Sequence, residues 1–279
     1  MLTQASESPL KHTQYLLEVF LEKYGFAKAY VATQGYLALV GSGFTTGIVL
    51  DSGAGVSHII PFYENTVLKS ARLDIAGHHV TNHLLSLFQR RGYSMNHSAD
   101  YILCDKIKRS YCFVAQNSTL EQKLCDETTY NDHRIKTEIG EINASDELFM
   151  APEILFTPSH VENESSGIGE MLFDTIQKQA PDLRMNFYKA IVLSGGTTMT
   201  PGIRTRLHND LRQLSTASFG KVTAQKQMPK ILDNPNRTTS VFRGAGMLAN
   251  FAKDSSNDFW VTADMLRKDG PQRCIAKFL

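Results

Sequence analysis

Two apolar runs, each followed directly by glycine-containing turns, stand out in the pattern of hydrophobic and polar positions. Residues 47–50 precede the turn at 51–55 (DSGAG), and residues 190–192 precede the turn at 193–198 (LSGGTT). A continuous apolar run is typical of a strand buried on both faces. Glycine lets backbone N–H groups approach an anion closely and adopts positive φ. The pattern therefore predicts that the two turns border one nucleotide-binding cleft.

The residues after each turn differ, and they predict two different local structures. Residues 56–63 read as a second strand, which makes the first unit a β-hairpin and not the strand–loop–helix of a Walker P-loop. After the second turn, Pro201 is followed by Ile203, Leu207, Leu211 and Leu214 at helical spacing. The second unit is therefore strand, glycine turn and helix N-terminus, which is a natural anion site.

Periodicity and glycine stops predict the other elements more coarsely. We expect helices over 10–24, 80–92, 105–115, 170–180 and 240–252, a strand running into a helix over 27–40, strands over 66–73 and 188–193, a hairpin around 137–142, and a flexible loop over 215–229. Mixed strands and helices of this kind indicate an α/β protein.

Composition narrows the function classes. The chain has 279 residues, a net charge of +1, 42% hydrophobic residues and 20% charged residues. This balance gives no electrostatic reason to expect nucleic acid or a membrane surface as a partner. Four cysteines without a CxxC pair argue against a zinc site and fit a reducing compartment. His79 and His83 have the i, i+4 spacing of a shared metal, but no third ligand is evident, and a solvated helix face is the simpler interpretation.

Specific motifs resemble the actin superfamily. Residues 51–58 are similar to its second phosphate loop, residues 193–202 to its adenosine-binding turn, and residues 72–77 and 91–94 to further actin segments. The similarity runs from about residue 10 to 270. Residues 91–100 and 121–129 resemble the subfamily of actin-related protein two, which belongs to the complex that nucleates branched actin filaments.

The resemblance implies an actin-like, ribonuclease-H-like ATPase fold that is N-terminally truncated. It begins roughly a hundred residues into the family pattern, so the first phosphate loop and most of the small outer domain have no counterpart. We expect residues 1–41 and 240–279 to be the remnant of the first large subdomain, 42–75 and 164–239 the second large subdomain, and 76–163 a smaller helical outer subdomain.

The resemblance also implies roles for individual residues. Asp51 would organise the water shell of Mg²⁺, a hard cation that prefers oxygen ligands. Gln34 would orient the water that attacks the γ-phosphate, with His58 close to it. The resemblance implies that the remaining nucleotide-binding positions contact the phosphates or the nucleoside through backbone or side-chain atoms: Gly53, Gly55, Val56, Gly77, Lys108, Gly195, Gly196, Thr197 and Met199. Three of these residues could instead be structural: Asp51 as a turn aspartate, Gln34 as a helix-surface amide and His58 as a satisfied strand histidine.

Five positions depart from the family pattern. Ala54 stands where a second acidic residue is usual, which weakens Mg²⁺ organisation and hydrolysis. On the nucleoside side, Thr200 replaces an aromatic residue, Arg109 an acidic one, Asp105 a basic one and Thr238 a lysine. We therefore expect weak or absent binding of ATP and Mg²⁺ by this chain alone, and at most weak ATP hydrolysis.

The resemblance favours an assembly protein of the cytoplasm and cytoskeleton, whose partners are actin and the other subunits of the actin-related protein complex. Nucleic acid and membranes are not expected partners. A divergent actin-related scaffold of nuclear chromatin complexes, with lost nucleotide binding, is the alternative. A sugar kinase of the same superfamily would need a catalytic carboxylate and a sugar pocket that these motifs do not supply, and a non-functional fragment also stays open.

Overall fold

The computed structural model describes residues 1–137, 140–253, 259–276 and 278. Its strands are β1 Leu2–Gln4, β2 Val31–Thr33, β3 Gly47–Ser52, β4 Ser57–Tyr63, β5 Thr66–Val67, β6 Ala71–Leu73, β7 His133–Thr137, β8 Gly140–Ala144, β9 Ile191–Ser194 and β10 Ile231–Leu232.

The α-helices are α1 Leu10–Glu18, α2 Gln34–Gly41, α3 Gly77–Arg90, α4 Ser98–Tyr111, α5 Ser118–Glu127, α6 Glu147–Glu153, α7 Ile168–Gln177, α8 Pro181–Lys189, α9 Ile203–Phe219, α10 Lys221–Lys226, α11 Ser240–Phe251 and α12 Ala263–Ile275. No helix within the described ranges combines the length and the apolar character that a membrane crossing requires.

The central sheet has the order β10-β9-β3-β4, with β5 and β6 both paired to β4. Strand β3 runs antiparallel to β4 and parallel to β9, so it is hydrogen-bonded on both edges. The predicted hairpin and the α/β class are confirmed.

Helices cover both faces of this sheet. Ile48 and Leu50 of β3 belong to the core formed with α7, α8 and α9, whereas Val49 belongs to a second core with Leu39 of α2 and Val241, which lies in α11. Because side chains alternate along a strand, three consecutive apolar residues fill two different cores.

Helix α1 packs against α12, which lies at the other end of the chain. Leu17 of α1 and Leu21, in the π-helical turn that follows, pack with Leu266 and Ile275 of α12. The sequence pattern missed α12, since Gly270 (φ 76°) and Pro271 interrupt it. Strands β1 and β2 form a small parallel sheet beside this core.

A buried ion network joins α9 to α6. Arg206 bonds to Glu153 at 3.0 Å and to Asp210 at 3.1 Å, and its guanidinium lies 4.6 Å from the centre of the Phe156 ring. Glu153 is only 1% exposed. A buried carboxylate requires such a partner, so this contact fixes how the two helices pack.

Several element predictions were wrong. Residues 215–229 include the end of α9, where the buried polar residue Ser215 continues the packed face of the helix, and all of α10, which contacts α9. Tyr188 lies in the last turn of α8, which ends at Lys189, and is not in a strand, since an apolar run alone does not distinguish a buried helix end from a strand. Helix α4 ends at Tyr111, before residue 115. Residues 66–73 form two short strands, and 138–139 of the predicted hairpin lie outside the described residues.

The contact between α2 and α11 depends on two facing glycines. A Cβ on Gly244 would overlap the Leu37 carbonyl oxygen and lie 3.0 Å from the Gly41 nitrogen. A Cβ on Gly41 of α2 would in turn lie 2.8 Å from the Ser240 carbonyl oxygen, so the helix axes can approach this closely only because neither residue has a side chain.

We predict that Gly244→Ala lowers the free energy of unfolding by about 1–3 kcal/mol, as overpacking does. Gly246→Ala, on the same helix with nothing within 4 Å of its added Cβ, is the matched control. It is expected to raise stability by up to about 1 kcal/mol through helix propensity. Urea unfolding checks both, and equal behaviour of the two variants would contradict the prediction.

Candidate functional site

Three strands bring three polar side chains into one row. Asp51 of β3 is paired in register with His58 of β4 and with Ser194 of β9. Both β3 and β9 end here, and ligands of open α/β sheets bind beyond the carboxyl ends of the parallel strands. His58 is buried, and its Nδ1 has no hydrogen-bond partner within the described residues.

Asp51 is a desolvated carboxylate. Burial raises the pKa of its carboxyl group, while the Ser194 hydroxyl and the charge of His58 act in the opposite direction. Burial disfavours the charged form, so the ionised carboxylate at this position is held at a cost in stability. A cation placed beside Asp51 would relieve that cost.

The two glycine turns are directly hydrogen-bonded to each other. The Thr197 hydroxyl donates to the Gly53 carbonyl oxygen at 2.6 Å, although the residues are 144 positions apart. The same oxygen accepts from the Gly77 amide at 3.1 Å, and the His78 amide donates to the Ala54 oxygen at 2.8 Å. The structure thus brings together the turns around residues 53 and 195 and the first turn of α3.

The glycines of the two turns differ in whether a Cβ atom would fit at their positions. Gly195 has a φ of 87°, and a Cβ there would overlap the Ser52 carbonyl oxygen and lie 3.0 Å from Asp51 Oδ1. Gly55 and Gly196 have nothing within 4 Å of an added Cβ. Gly195 is therefore required by the fold, whereas open space lies over the other two. The Gly53 amide donates to the Val56 oxygen at 3.2 Å, so it is used inside its own turn.

Lys108 contacts the protein through three hydrogen bonds. Its ammonium donates to Gly77 O at 3.0 Å, to Thr81 Oγ1 at 2.7 Å and to Asp105 Oδ1 at 2.7 Å. An ammonium group has three donors, so its capacity is filled. Asp105 also pairs with Arg109 at 2.7 Å. Desolvation raises the pKa of the Asp105 carboxyl group, but the hydrogen bonds and charges of Lys108 and Arg109 outweigh this effect, so the pKa is lowered overall. Lys108 fastens α4 to α3, and its predicted nucleotide contact remains a prediction.

Two of the remaining predicted positions, Gln34 and Met199, make no side-chain hydrogen bond to the described part of the protein. Gln34 is the first residue of α2, and Gly35 packs against Ile60 and Phe62, so this helix begins beside β4. The side-chain amide of Gln34 has no hydrogen bond to the described part of the protein. Met199 is 38% exposed at the end of the turn. The water-positioning role of Gln34 and His58 is untested by this geometry.

The predicted solvated face at His79 and His83 was wrong. His79 Nδ1 accepts a hydrogen bond from the Ala76 amide at 3.2 Å and caps α3. His83 is buried, and desolvation, with smaller effects of Arg90 and His160, lowers its pKa to about 4. The described residues contain no cluster of three or more His, Cys, Asp or Glu side chains that could hold a metal ion directly.

Sequence reasoning missed Arg237. Its guanidinium is buried and donates to Thr198 Oγ1 at 3.1 Å and to the Thr198 carbonyl oxygen at 2.7 Å. The residue precedes a helix in a polar stretch, so periodicity gives no sign of its burial. Only the folded chain brings it to the turn 39 residues away.

Comparison with known proteins gives a consistent family match. The family model described as Actin matches residues 1–278. The chain is 41% identical to actin-related protein 2 of Saccharomyces cerevisiae, over all of this chain and 72% of that protein. It is 40% identical to actin-related protein 2 of Caenorhabditis briggsae, over 99% of this chain and 72% of that protein. The Acanthamoeba castellanii protein of the same name is 40% identical, over 98% and 71%.

We predict that Gly195→Ala lowers the free energy of unfolding by more than about 2 kcal/mol, because the strain of positive φ adds to a backbone overlap. Gly196→Ala, one residue along with open space around it, is expected to change stability by less than about 1 kcal/mol. Chemical denaturation of the two variants checks this, and a Gly195→Ala protein as stable as Gly196→Ala would contradict it.

We predict that Asp51→Asn makes the ligand-free protein more stable at pH 7. Folding raises the pKa of Asp51 above its ordinary 3.8, so the folded state binds the proton more tightly than the unfolded state. Stability is then lost as pH rises from 3.8 through the folded pKa, and Asn escapes this loss.

The advantage of Asp51→Asn should shrink as the pH falls through the same window. Urea midpoints at pH 7 and at pH 4 measure it, and Asp174→Asn, at an exposed position of α7, is the matched control. A wild-type protein more stable than Asp51→Asn at pH 7 would refute the assignment.

Proposed function

Since this chain belongs to the actin family, we propose that it serves as an actin-related protein subunit of the complex that nucleates branched actin filaments. The support is the match to three proteins named actin-related protein 2 at 40–41% identity over nearly the whole chain. Its partners in this proposal are actin and the other subunits of that complex, and its place of action is the cytoplasmic cytoskeleton.

The site proposed for this subunit is a nucleotide cleft between the two glycine turns. The observation that carries it is the 2.6 Å hydrogen bond from Thr197 to Gly53, which holds both turns at the end of β3 and β9. Ligand binding across such a junction favours one arrangement of the elements that it bridges. The nucleotide would therefore act mainly as a conformational switch for assembly.

The residues at the cleft fit ATP with Mg²⁺. Asp51 offers a desolvated carboxylate that a nearby cation would favour, and it would hold Mg²⁺ through water. Open space over Gly55 and Gly196 leaves room for the backbone to approach phosphate oxygens. When bound, the metal would neutralise phosphate charge. Thr197 and Gly77 hold the Gly53 turn in place, and Met199 borders the nucleoside side.

Hydrolysis is a minor part of the proposal. Gln34 and His58 would position water, but Ala54 provides no second carboxylate beside Asp51. Positioning and charge stabilisation supply most of the catalysis in phosphoryl transfer, so losing one charged group slows it strongly. We place the function in assembly and expect at most weak ATPase activity.

The alternative of a nuclear chromatin scaffold is not favoured. The three relatives reported above share one name, actin-related protein 2, and match at nearly equal identity. The altered nucleoside contacts at Thr200, Arg109, Asp105 and Thr238 concern nucleotide affinity, and they leave the assembly role as it is.

We predict that residues 1–279 alone bind Mg·ATP with a dissociation constant weaker than micromolar. The resemblance to the actin superfamily places the first phosphate loop outside residues 1–279. The loss of two or three hydrogen bonds to charged groups costs about 4–8 kcal/mol, or about three to six decades of affinity. Isothermal titration measures it, with Asp51→Ala as the control for binding outside the cleft. Submicromolar affinity would overturn this prediction.

The assembly role is tested by affinity purification of the tagged chain from cells that contain the branching complex. We expect the other complex subunits to co-purify in stoichiometric amounts, and tagged conventional actin is the matched control. Recovery of chromatin-remodelling subunits in their place, or recovery of none of the complex, would refute the proposed function.

A further inference from the structure

Arg237 is a buried cation whose hydrogen bonds all go to neutral oxygen atoms. It is 8% exposed. Besides its two bonds to Thr198, its Nη1 donates to the backbone oxygens of Asp233 at 3.3 Å and Asn234 at 3.1 Å. Burial lowers the pKa of the guanidinium, and the Asp233 charge opposes this effect. Asp233 is itself paired with Arg204 at 3.3 Å.

Keeping a guanidinium in this position is costly, because a buried charge loses its hydration. A guanidinium presents five N–H donors in a rigid planar fork and stays charged when buried. It can therefore bind the carbonyl oxygens of two separate segments at once. An apolar side chain would fill the space without holding either segment.

The bonds of Arg237 extend to the glycine turn itself. The Thr198 hydroxyl, which accepts from Arg237, donates to the Gly195 carbonyl oxygen at 2.7 Å. On the other side, the Arg237 carbonyl accepts from Ser240 Oγ at 2.9 Å, and Ser240 begins α11. One side chain thus joins the glycine turn after β9 to the segment that opens α11.

We infer that Arg237 is a positioning residue, which holds the Gly195–Met199 turn in its nucleotide-binding shape from outside the cleft. The turn is held from the cleft side by Thr197 on Gly53 and from behind by Arg237 on Thr198. The inference rests on the proposed nucleotide cleft for its functional consequence. The rigidity of the turn is a separate consequence, which can be measured without ligand.

The ligand-free test is amide hydrogen exchange of the full chain. Thr198 and Thr200 donate within the turn at 3.3 Å and 3.2 Å, and their exchange reports its opening. Arg237→Gln is expected to speed exchange at both amides by about tenfold or more, the usual weight of a hydrogen bond to a charged group. Arg204→Gln, which removes a nearby exposed guanidinium, is the matched control and should leave both amides within about twofold of wild type.

Two further variants, Thr198→Val and Arg237→Lys, extend the amide exchange test. If Arg237→Gln does not fold, Thr198→Val removes one acceptor of Arg237 at nearly constant volume and should speed the same amides. Arg237→Lys keeps the charge but not the fork, so its exchange should lie between wild type and Arg237→Gln. Unchanged exchange in a folded Arg237→Gln or Thr198→Val protein would overturn the inference.

The functional arm is an NMR titration with Mg·ATP at millimolar concentrations. Arg237→Gln should weaken binding at least about tenfold relative to Arg204→Gln, and Arg237→Lys less. Equal affinity of Arg237→Gln and Arg204→Gln overturns the inference. Absence of binding by the wild-type protein would agree with the weak affinity expected of residues 1–279, and the exchange result then decides the positioning role by itself.

Discussion

The burial of β3 on both faces and both edges is the constraint on which the rest of the structure depends. Ile48 and Leu50 lie in one core and Val49 in the other. A shift of one residue would exchange these faces, so the register with β4 and β9 is strongly specified. Once the register is set, Asp51 must lie beside His58 and Ser194. The site is therefore a consequence of how the core packs.

Where these strands end, backbone carbonyl oxygens of the turns need hydrogen-bond partners. The Gly53 oxygen, beyond the end of the strand, is satisfied by Thr197 and by the Gly77 amide. Two cations support this arrangement from outside, Lys108 on the Gly77 carbonyl and Arg237 on the Thr198 carbonyl. Buried carbonyl groups need partners, and cations are strong ones. The two glycine turns are thus fixed by side chains that lie outside them, while Asp51 stays desolvated at a cost in stability.

Much of the fold could be predicted from local pattern. The hairpin of β3 and β4, the turn after β9 and the stripe of α9 were found because strand alternation, helical spacing and glycine stops are encoded within a few neighbouring residues. The end of α8 at Lys189, the helix α10 and the interrupted helix α12 were missed. Helix α8 packs on β3 and α12 packs on α1 at the opposite end of the chain, whereas α10 contacts the preceding helix α9. The role of each site residue and the division into subdomains remain predictions.

The sequence by itself determined the family and the two glycine turns, since these depend on short motifs and on backbone freedom that only glycine provides. The tertiary structure decided which polar groups are satisfied. The contact from Thr197 to Gly53 spans 144 residues, that from Lys108 to Gly77 spans 31, and that from Arg237 to Thr198 spans 39. No local pattern encodes such pairs, because they form only when packing brings distant segments within hydrogen-bond distance. The two turns are thus readable in the sequence, whereas the side chains that hold them together are set by the packing of the sheet and its helices.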